Sequence, residues 1–421
     1  METIEDTPAR RMQAIGQAVK SAAVRLATSS GEQRRAAIVA AAELMVAQRA
    51  RILAANQEDI AAASHLAPPM VDRLRLNETR LKSLAQALRD IAEQPDPLGV
   101  IDEEWTRPNG LQFQRVRVPL GVIGMIYESR PNVTADAAAL CIKSGNGVIL
   151  RGGSESTHSS RAISDVMQSG LTAAGLPAAA VHYIDSTDRA LVGEMLRLND
   201  YIDVVIPRGG KGLIKRVQEE ARVPVMAHLD GNCHIFVHGS ADGAVAESVI
   251  LNAKLRRTSV CGAAESLVFD RGAARSTMPR VIKALLAAGC EVRGDQPVQA
   301  VDSRVKPATE LDWGTEYLDA IISARVVEDA AAAIAHINRY GSHHTDAIIA
   351  SDPVAQEQFL REIDSAIVLV NASTQFADGG EFGFGGEIGI ATGKIHARGP
   401  VGAQHLTSYK YRVRGTGQIR P

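Results

Sequence analysis

Residues 118–153 read VPLGVIGMIYESRPNVTADAAALCIKSGNGVILRGG, and this stretch decides the fold class. The runs at 121–127 (GVIGMIY) and 147–150 (GVIL) are short and apolar, whereas 134–144 between them has helical character. Strand, helix and strand without polar alternation describe a parallel pair buried on both faces, joined by a right-handed crossover. The alternation continues downstream, with strands at 181–184 (VHYI), 202–206 (IDVVI) and 223–226 (VPVM) and helices near 156–173, 188–198 and 211–221. Gly145, Gly170, Gly175, Gly209 and Gly210 punctuate the turns. The expectation is a doubly wound α/β domain of nucleotide-binding type.

A second α/β segment follows from about 234 to 370. Its expected strands are 234–237, 266–269, 320–327, 346–350 and 366–370, and its helices 241–256, 274–289, 328–340 and 353–363. Upstream, 8–94 reads as helical scaffold. Ser30 and Gln33 fit a capping box that opens a helix through about residue 62. Leu81, Leu84, Leu88 and Ile91 mark one helix face, and Pro95 and Pro97 end it. Residues 112–118 (QFQRVRV) alternate as a half-exposed strand, either an ordinary edge or an arm that pairs with another subunit. Residues 404–414 read as a further exposed strand, and the glycine-rich 379–402 suits a loop over a ligand.

A chain of 421 residues predicts two or three domains. With 45% hydrophobic and 22% charged residues it is of globular composition. A net charge of −2 gives no field toward nucleic acid or an anionic membrane, and 4% aromatics are too few for base-stacking surfaces. No apolar run reaches the ~18 residues of a membrane span. The acidic start, Met1-Glu2-Thr3-Ile4-Glu5-Asp6, does not resemble a secretory signal. Four cysteines without a C-x-x-C pair argue for a reducing compartment, the cytoplasm by default.

Cys261 is the leading candidate for chemistry. It lies just beyond the 241–256 helix, with Arg256 and Arg257 close upstream, and cations near sulfur favour the reactive thiolate. Cys141 and Cys290 read as packed positions, and Cys233 is ambiguous. His343-His344 is the only histidine pair and has no acid or thiolate at ligand spacing, so no metal site is expected. The G-x-G-x-x-G fingerprint is absent. Two other turns could cradle phosphate at carboxyl ends of parallel strands: Arg151-Gly152-Gly153-Ser154-Glu155 and Pro207-Arg208-Gly209-Gly210-Lys211-Gly212. Asn132 could aim an amide at an oxyanion, or simply cap a helix.

Residues 118–153, together with 228–268 (HLDGNCHIFVHGSADGAVAESVILNAKLRRTSVCGAAESLV), WGTEYL at 313–318 and 382–410, resemble the gamma-glutamyl phosphate reductase family of the aldehyde dehydrogenase superfamily. The resemblance spans nearly the whole chain in consistent order. It implies an aldehyde dehydrogenase-like fold with two doubly wound parallel-sheet domains and a small β oligomerisation arm. The NADPH-binding domain would comprise 1–106 and 120–229 with about 371–395 returning, the catalytic domain 230–370, and the arm 107–119 and 396–421. The implied activity is NADPH-dependent reduction of L-glutamyl 5-phosphate to L-glutamate 5-semialdehyde in proline biosynthesis, through a Cys261 thioester.

Carried over by position, Cys261 matches the catalytic cysteine and Asn132 the oxyanion amide. Arg151, Gly152, Gly153, Ser154, Gly209 and Gly210 fall to the cofactor, and Glu316 resembles the glutamate that holds the nicotinamide ribose. Arg257 and Asn232 are assigned to substrate. The superfamily's Glu-Leu-Gly-Gly, whose glutamate activates water, is here His228-Leu229-Asp230-Gly231, so the hydrolytic base is replaced. Many reductases carry Gln-Arg-Pro-Gly-Val-Cys-Asn where this chain has Arg256-Arg257-Thr258-Ser259-Val260-Cys261-Gly262. The arm implies a homodimer or homotetramer, and the fragile acyl phosphate leaves room for association with glutamate 5-kinase. The rival readings are a hydrolytic or coenzyme A-acylating dehydrogenase, a cysteine acyltransferase without redox cofactor, and an inactive assembly partner.

Overall fold

The computed structural model describes residues 7–66 and 68–420, so the acidic start lies outside the described residues. Residues 1–227, 383–389 and 401–421 cluster as one unit, and 228–382 with 390–400 as another.

The first unit opens with helices Pro8–Thr28, Gly31–Ala47, Arg49–Ala62, Pro68–Leu74 and Glu78–Glu93. The capping box is present: Gln33 N–H donates to Ser30 Oγ at 3.1 Å, and Ser30 N–H to Gln33 Oε1 at 3.2 Å. The helix it opens stops at Ala47, and Gln48 serves as cap to it and to the next. The expected single helix to about residue 62 is therefore two, divided where neither Gly nor Pro marks a break. Leu81, Leu84, Leu88 and Ile91 are all buried on one face of Glu78–Glu93.

Strands β1 (Ile101–Thr106) and β2 (Gln112–Pro119) pair antiparallel, and Thr407–Arg414 adds to the other edge of β2. The small sheet thus includes β1, upstream of the residue 107 at which the arm was expected to begin. Strands β3 (Val122–Tyr127), β4 (Gly147–Arg151), β5 (Val181–Tyr183) and β6 (Val204–Arg208) form a parallel sheet in the order β5-β4-β3-β6. Every residue of β3 and β4 is buried, as unbroken apolar runs require. Gly145 leaves helix Asn132–Lys143 with φ +72°, a left-handed turn that disfavours a side chain. Strand order reverses between β3 and β6, which is where such sheets open a ligand crevice. The strand expected at 223–226 amounts to one bridge between Val205 and Val225, because Pro224 has no N–H to extend a ladder.

The second unit is a seven-stranded parallel sheet. Its strands are β7 (Cys233–Val237), β8 (Ala264–Phe269), β9 (Glu291–Gly294), β10 (Lys306–Pro307), β11 (Ile321–Val326), β12 (Thr345–Ile349) and β13 (Ile367–Val370), in the order β10-β9-β11-β8-β7-β12-β13. The sequence reading missed β9 and β10, whose Glu291, Arg293 and Lys306 interrupt any apolar run. The expected helix 274–289 is two, Arg271–Ser276 and Met278–Ala287, with Pro279 in the first turn of the second. The return to the first unit is also shorter than the expected 371–395. Only 383–389 goes back there, while 390–400 stays with the second unit, where Lys394 and Arg398 both pair with Asp364 at 2.5 and 3.0 Å.

Candidate active site

Three connections of the second unit converge at the amino ends of its central strands. His228 precedes β7, Cys261 precedes β8 and His344 directly precedes β12. Because β8 and β12 flank β7, residues distant in sequence meet. The Cys261 Sγ and one ring nitrogen of each histidine lie within 4.8 Å of one another. The two imidazoles meet edge to face with centroids 5.0 Å apart. His228 Nδ1–H donates to the Ile390 carbonyl at 2.7 Å, and His344 Nδ1 bonds to Thr345 Oγ1 at 2.9 Å. Each ring is thereby oriented through Nδ1, and Nε2 is its other functional nitrogen.

Burial by itself would raise the Cys261 thiol. The charge of His344, with His228 beside it, outweighs that and holds the thiol well below its usual value. All four cysteines are free, and the other three are pushed the opposite way by burial, Cys290 up to about 12. The expected source of positive charge was local and needs correction. Arg256 Nη1 donates to Gln375 Oε1 at 3.2 Å, and Arg257 is exposed with no ion pair among the described residues. The cations that act on sulfur are two histidines that no local pattern pointed to.

The backbone around the thiol is clamped. The Cys261 carbonyl accepts the Cys233 thiol at 3.1 Å, and a Cβ at Gly231 would lie 2.1 Å from that carbonyl oxygen. Position 231 therefore admits no side chain unless the nucleophile's backbone moves. Gly231 N–H donates to Glu316 Oε1 at 2.8 Å, so the predicted ribose-binding glutamate is tied to the same turn. Lys254 and Glu265, both fully buried, bridge the two ends of the cysteine loop at 2.5 Å. Gln375 Nε2 donates to the carbonyls of Ala253 and Arg257 at 2.9 and 3.2 Å. Asn232, assigned to substrate from the resemblance, is buried; its amide donates to the Trp313 and Tyr340 carbonyls at 2.9 and 2.8 Å, which uses both of its N–H groups and leaves Oδ1 without a partner.

In the first unit, both expected phosphate turns follow carboxyl ends of parallel strands. Arg151 ends β4, and Gly152, Gly153 and Ser154 lead into helix Thr157–Ala173. Arg151 is buried yet forms no ion pair among the described residues, and its Nε has no hydrogen-bond partner. Its Nη1 donates to the Gly152 carbonyl. Gly209 and Gly210 lead from β6 into helix Lys211–Glu220, and the Gly210 N–H donates to Glu128 Oε2 at 2.8 Å. Asn132 is the first residue of its helix, which Pro131 caps, so the capping reading is set aside. Its Nδ2 donates to Asp136 Oδ2 at 3.0 Å. Burial lifts Asp136 to about 6 against the pull of Asn132 and Arg208.

The aldehyde dehydrogenase family model matches residues 1–301. The gamma-glutamyl phosphate reductase of Parvibaculum lavamentivorans is 58% identical over 97% of this chain and 97% of its own length. That of Brucella suis is 57% identical over 98% and 99%. The crystal structure of the Thermotoga maritima gamma-glutamyl phosphate reductase superposes with a TM-score of 0.95 at 43% identity, covering 97% of this chain and 100% of that one. The family implies a nicotinamide cofactor. Fold, site chemistry and these likenesses agree, and the chain belongs to the gamma-glutamyl phosphate reductase family, oxidoreductases of the aldehyde dehydrogenase superfamily.

Proposed function

We propose that this chain reduces L-glutamyl 5-phosphate to L-glutamate 5-semialdehyde with NADPH, releasing phosphate, as a step of proline biosynthesis. The observation that carries the reading is a thiol held below its usual pKa between His228 and His344. The relatives' shared name supplies the substrate.

The Cys261 thiolate attacks the acyl carbon. The bond from that carbon to the phosphate oxygen breaks, phosphate leaves with the electron pair, and a thioester forms. The resemblance assigns the Asn132 amide to the oxyanion, and that amide has a second N–H beyond the one given to Asp136. The nicotinamide, when bound, supplies the hydride that takes the acyl group to the aldehyde level. The departing phosphate takes up the proton that the cysteine–histidine pair gives up, departure of the aldehyde regenerates the thiolate, and water returns to the pair the one proton that the reduction consumes. His228 stands where hydrolytic relatives carry a water-activating glutamate. Held through Nδ1 by Ile390, it serves the sulfur and does not hydrolyse the thioester.

Arg151 is assigned to the 2′-phosphate of NADPH because it is a buried cation without a partner anion. Gly152, Gly153, Ser154, Gly209 and Gly210 are assigned to the pyrophosphate side, and Glu316 to the nicotinamide ribose. Arg257, exposed and without an ion pair, is assigned to a substrate carboxylate or phosphate. The small antiparallel sheet exposes Trp105, Tyr409, Tyr411 and Val413, which supports its use as an arm in a homodimer or homotetramer. Four free thiols suit the cytoplasm. No helix of the described residues is long and apolar enough to cross a membrane.

The test is the reverse reaction, in which glutamate 5-semialdehyde, NADP and phosphate are each omitted in turn and NADPH is followed by absorbance. The reading requires all three. NADPH formation without phosphate would refute it, and so would turnover near the wild-type level in Cys261→Ser.

A further inference from the structure

No metal site was expected from the sequence, because no cysteine or acid stands at ligand spacing from the only histidine pair. The fold nevertheless gathers three donors of metal-ligand type. The geometry points to a binding site for a thiophilic divalent cation of the zinc class, held by Cys261 Sγ and ring nitrogens of His228 and His344, which reversibly caps the nucleophile.

Three observations carry this. The donor atoms already lie within 4.8 Å of one another. A tetrahedral zinc with Zn–S about 2.3 Å and Zn–N about 2.0–2.1 Å sets sulfur and nitrogen ~3.6 Å apart, so side-chain rotations of about an ångström complete the site. Both imidazoles are oriented through Nδ1, one by the Ile390 carbonyl and one by the Thr345 hydroxyl. Outer contacts of that kind fix metal-binding histidines in place. Finally, His344 is fully buried, and its Nε2, once it gives up its proton, can serve a cation.

Three protein ligands leave a fourth position for water. A cation seated there occupies the sulfur lone pairs that would attack an acyl group, so it acts as a cap and an inhibitor, not as a catalytic cofactor. The inference needs only a thiolate and two imidazoles and does not depend on the identity of the acyl substrate.

The experiment uses metal-free full-length protein. Co2+ is titrated in while thiolate-to-cobalt charge-transfer absorbance is recorded, and Zn2+ is then added to displace it. In parallel, alkylation of Cys261 by iodoacetamide is timed by peptide mass spectrometry with and without saturating Zn2+. The expected result is a band that saturates at one equivalent and is bleached by Zn2+. Alkylation should slow at least ~10-fold, with full recovery after EDTA. Cys261→Ser should abolish the band, and His228→Gln should weaken Co2+ binding by at least about 10-fold. The inference is overturned by absence of the band, by unprotected alkylation, by a band that survives in Cys261→Ser, or by unchanged affinity in His228→Gln. The protection assay needs no variant, so it stands whatever a substitution does to folding. None of the readouts uses turnover, so failure of the reductase reading and failure of this one are distinguishable.

Discussion

Replacing Lys254 by methionine should destabilise the second unit sharply and slow the chemistry of Cys261 with it. Lys254 ends helix Gly243–Leu255 and Glu265 lies in β8, so their ion pair ties together the two ends of the loop that carries the nucleophile. Both side chains are fully buried, and the charged atoms are 2.5 Å apart. Removing one partner leaves a carboxylate in the core with only weaker helpers, among them the Leu318 N–H at 3.2 Å. Breaking such a pair typically costs ~3–5 kcal/mol, whereas exchanging both partners for well-packed apolar residues is neutral or stabilising by about 1–4 kcal/mol.

At roughly 3 °C per kcal/mol for a unit of this size, Lys254→Met should lower its melting temperature by about 10–15 °C. Lys254→Met combined with Glu265→Leu should recover most of that loss. Burial raises Glu265 above the usual carboxylate range while Lys254 pulls it down, so the single variant lifts it further. A raised carboxyl contributes stability that is fully present below its unfolded pKa and is lost as pH rises through the folded value. The deficit of Lys254→Met should therefore be larger at pH 8 than at pH 5. Calorimetry of the two variants, beside iodoacetamide labelling of Cys261, decides the matter. A single variant as stable as wild type, or a double variant less stable than the single, would refute the reasoning.

Other outcomes follow from the same geometry. Alkylation of Cys261 should remain fast at neutral pH and fall only as pH drops through its lowered pKa, and His228→Gln should move that inflection upward. An inflection near the ordinary value of about 8.5 in the wild type would contradict the proposed activation. The lowered thiol adds stability above its unfolded pKa, and that contribution is lost as pH falls through the folded one. Gly231→Ala places a Cβ 2.1 Å from the Cys261 carbonyl oxygen and should cost ~1–3 kcal/mol of stability while slowing thiol labelling, read by denaturation and mass spectrometry. Arg151→Ala should weaken NADPH binding by roughly 10–100-fold, the worth of a charge-assisted contact of about 1.5–3 kcal/mol, and weaken NADH binding far less in fluorescence titrations. Equal losses for the two cofactors would remove Arg151 from the 2′-phosphate.

Local pattern announced the elements whose burial is uniform. The runs that became β3 and β4 have no polar residue before Arg151, and a strand buried on both faces is written that way in sequence. Strand β9 and the edge strand β10 escaped notice because charged residues interrupt them and sheet pairing, not composition, holds them. The break at Gln48 shows the same limit, since neither Gly nor Pro marks it, whereas the bridge in place of a strand at 223–226 follows from Pro224, a signal the apolar run concealed.

The site divides in a similar way. A cysteine after a helix, together with the family resemblance, pointed to the candidate nucleophile, and the same resemblance placed His228 where hydrolytic relatives carry a glutamate. What activates the sulfur was hidden, because electrostatic work depends on distance through space. Arg256 and Arg257 are neighbours in sequence but not among the groups that set the thiol, while His228 and His344 reach it because β7, β8 and β12 lie side by side. Asn232 shows the converse, an amide that looks available in sequence until packing directs both its hydrogens to backbone carbonyls. Residue type and periodicity, which act over a few positions, determined the buried strands, most of the helices and the leading candidate for the reactive atom. The charges that tune that atom come from separate strands, and only the strand order of the folded sheet brings them together.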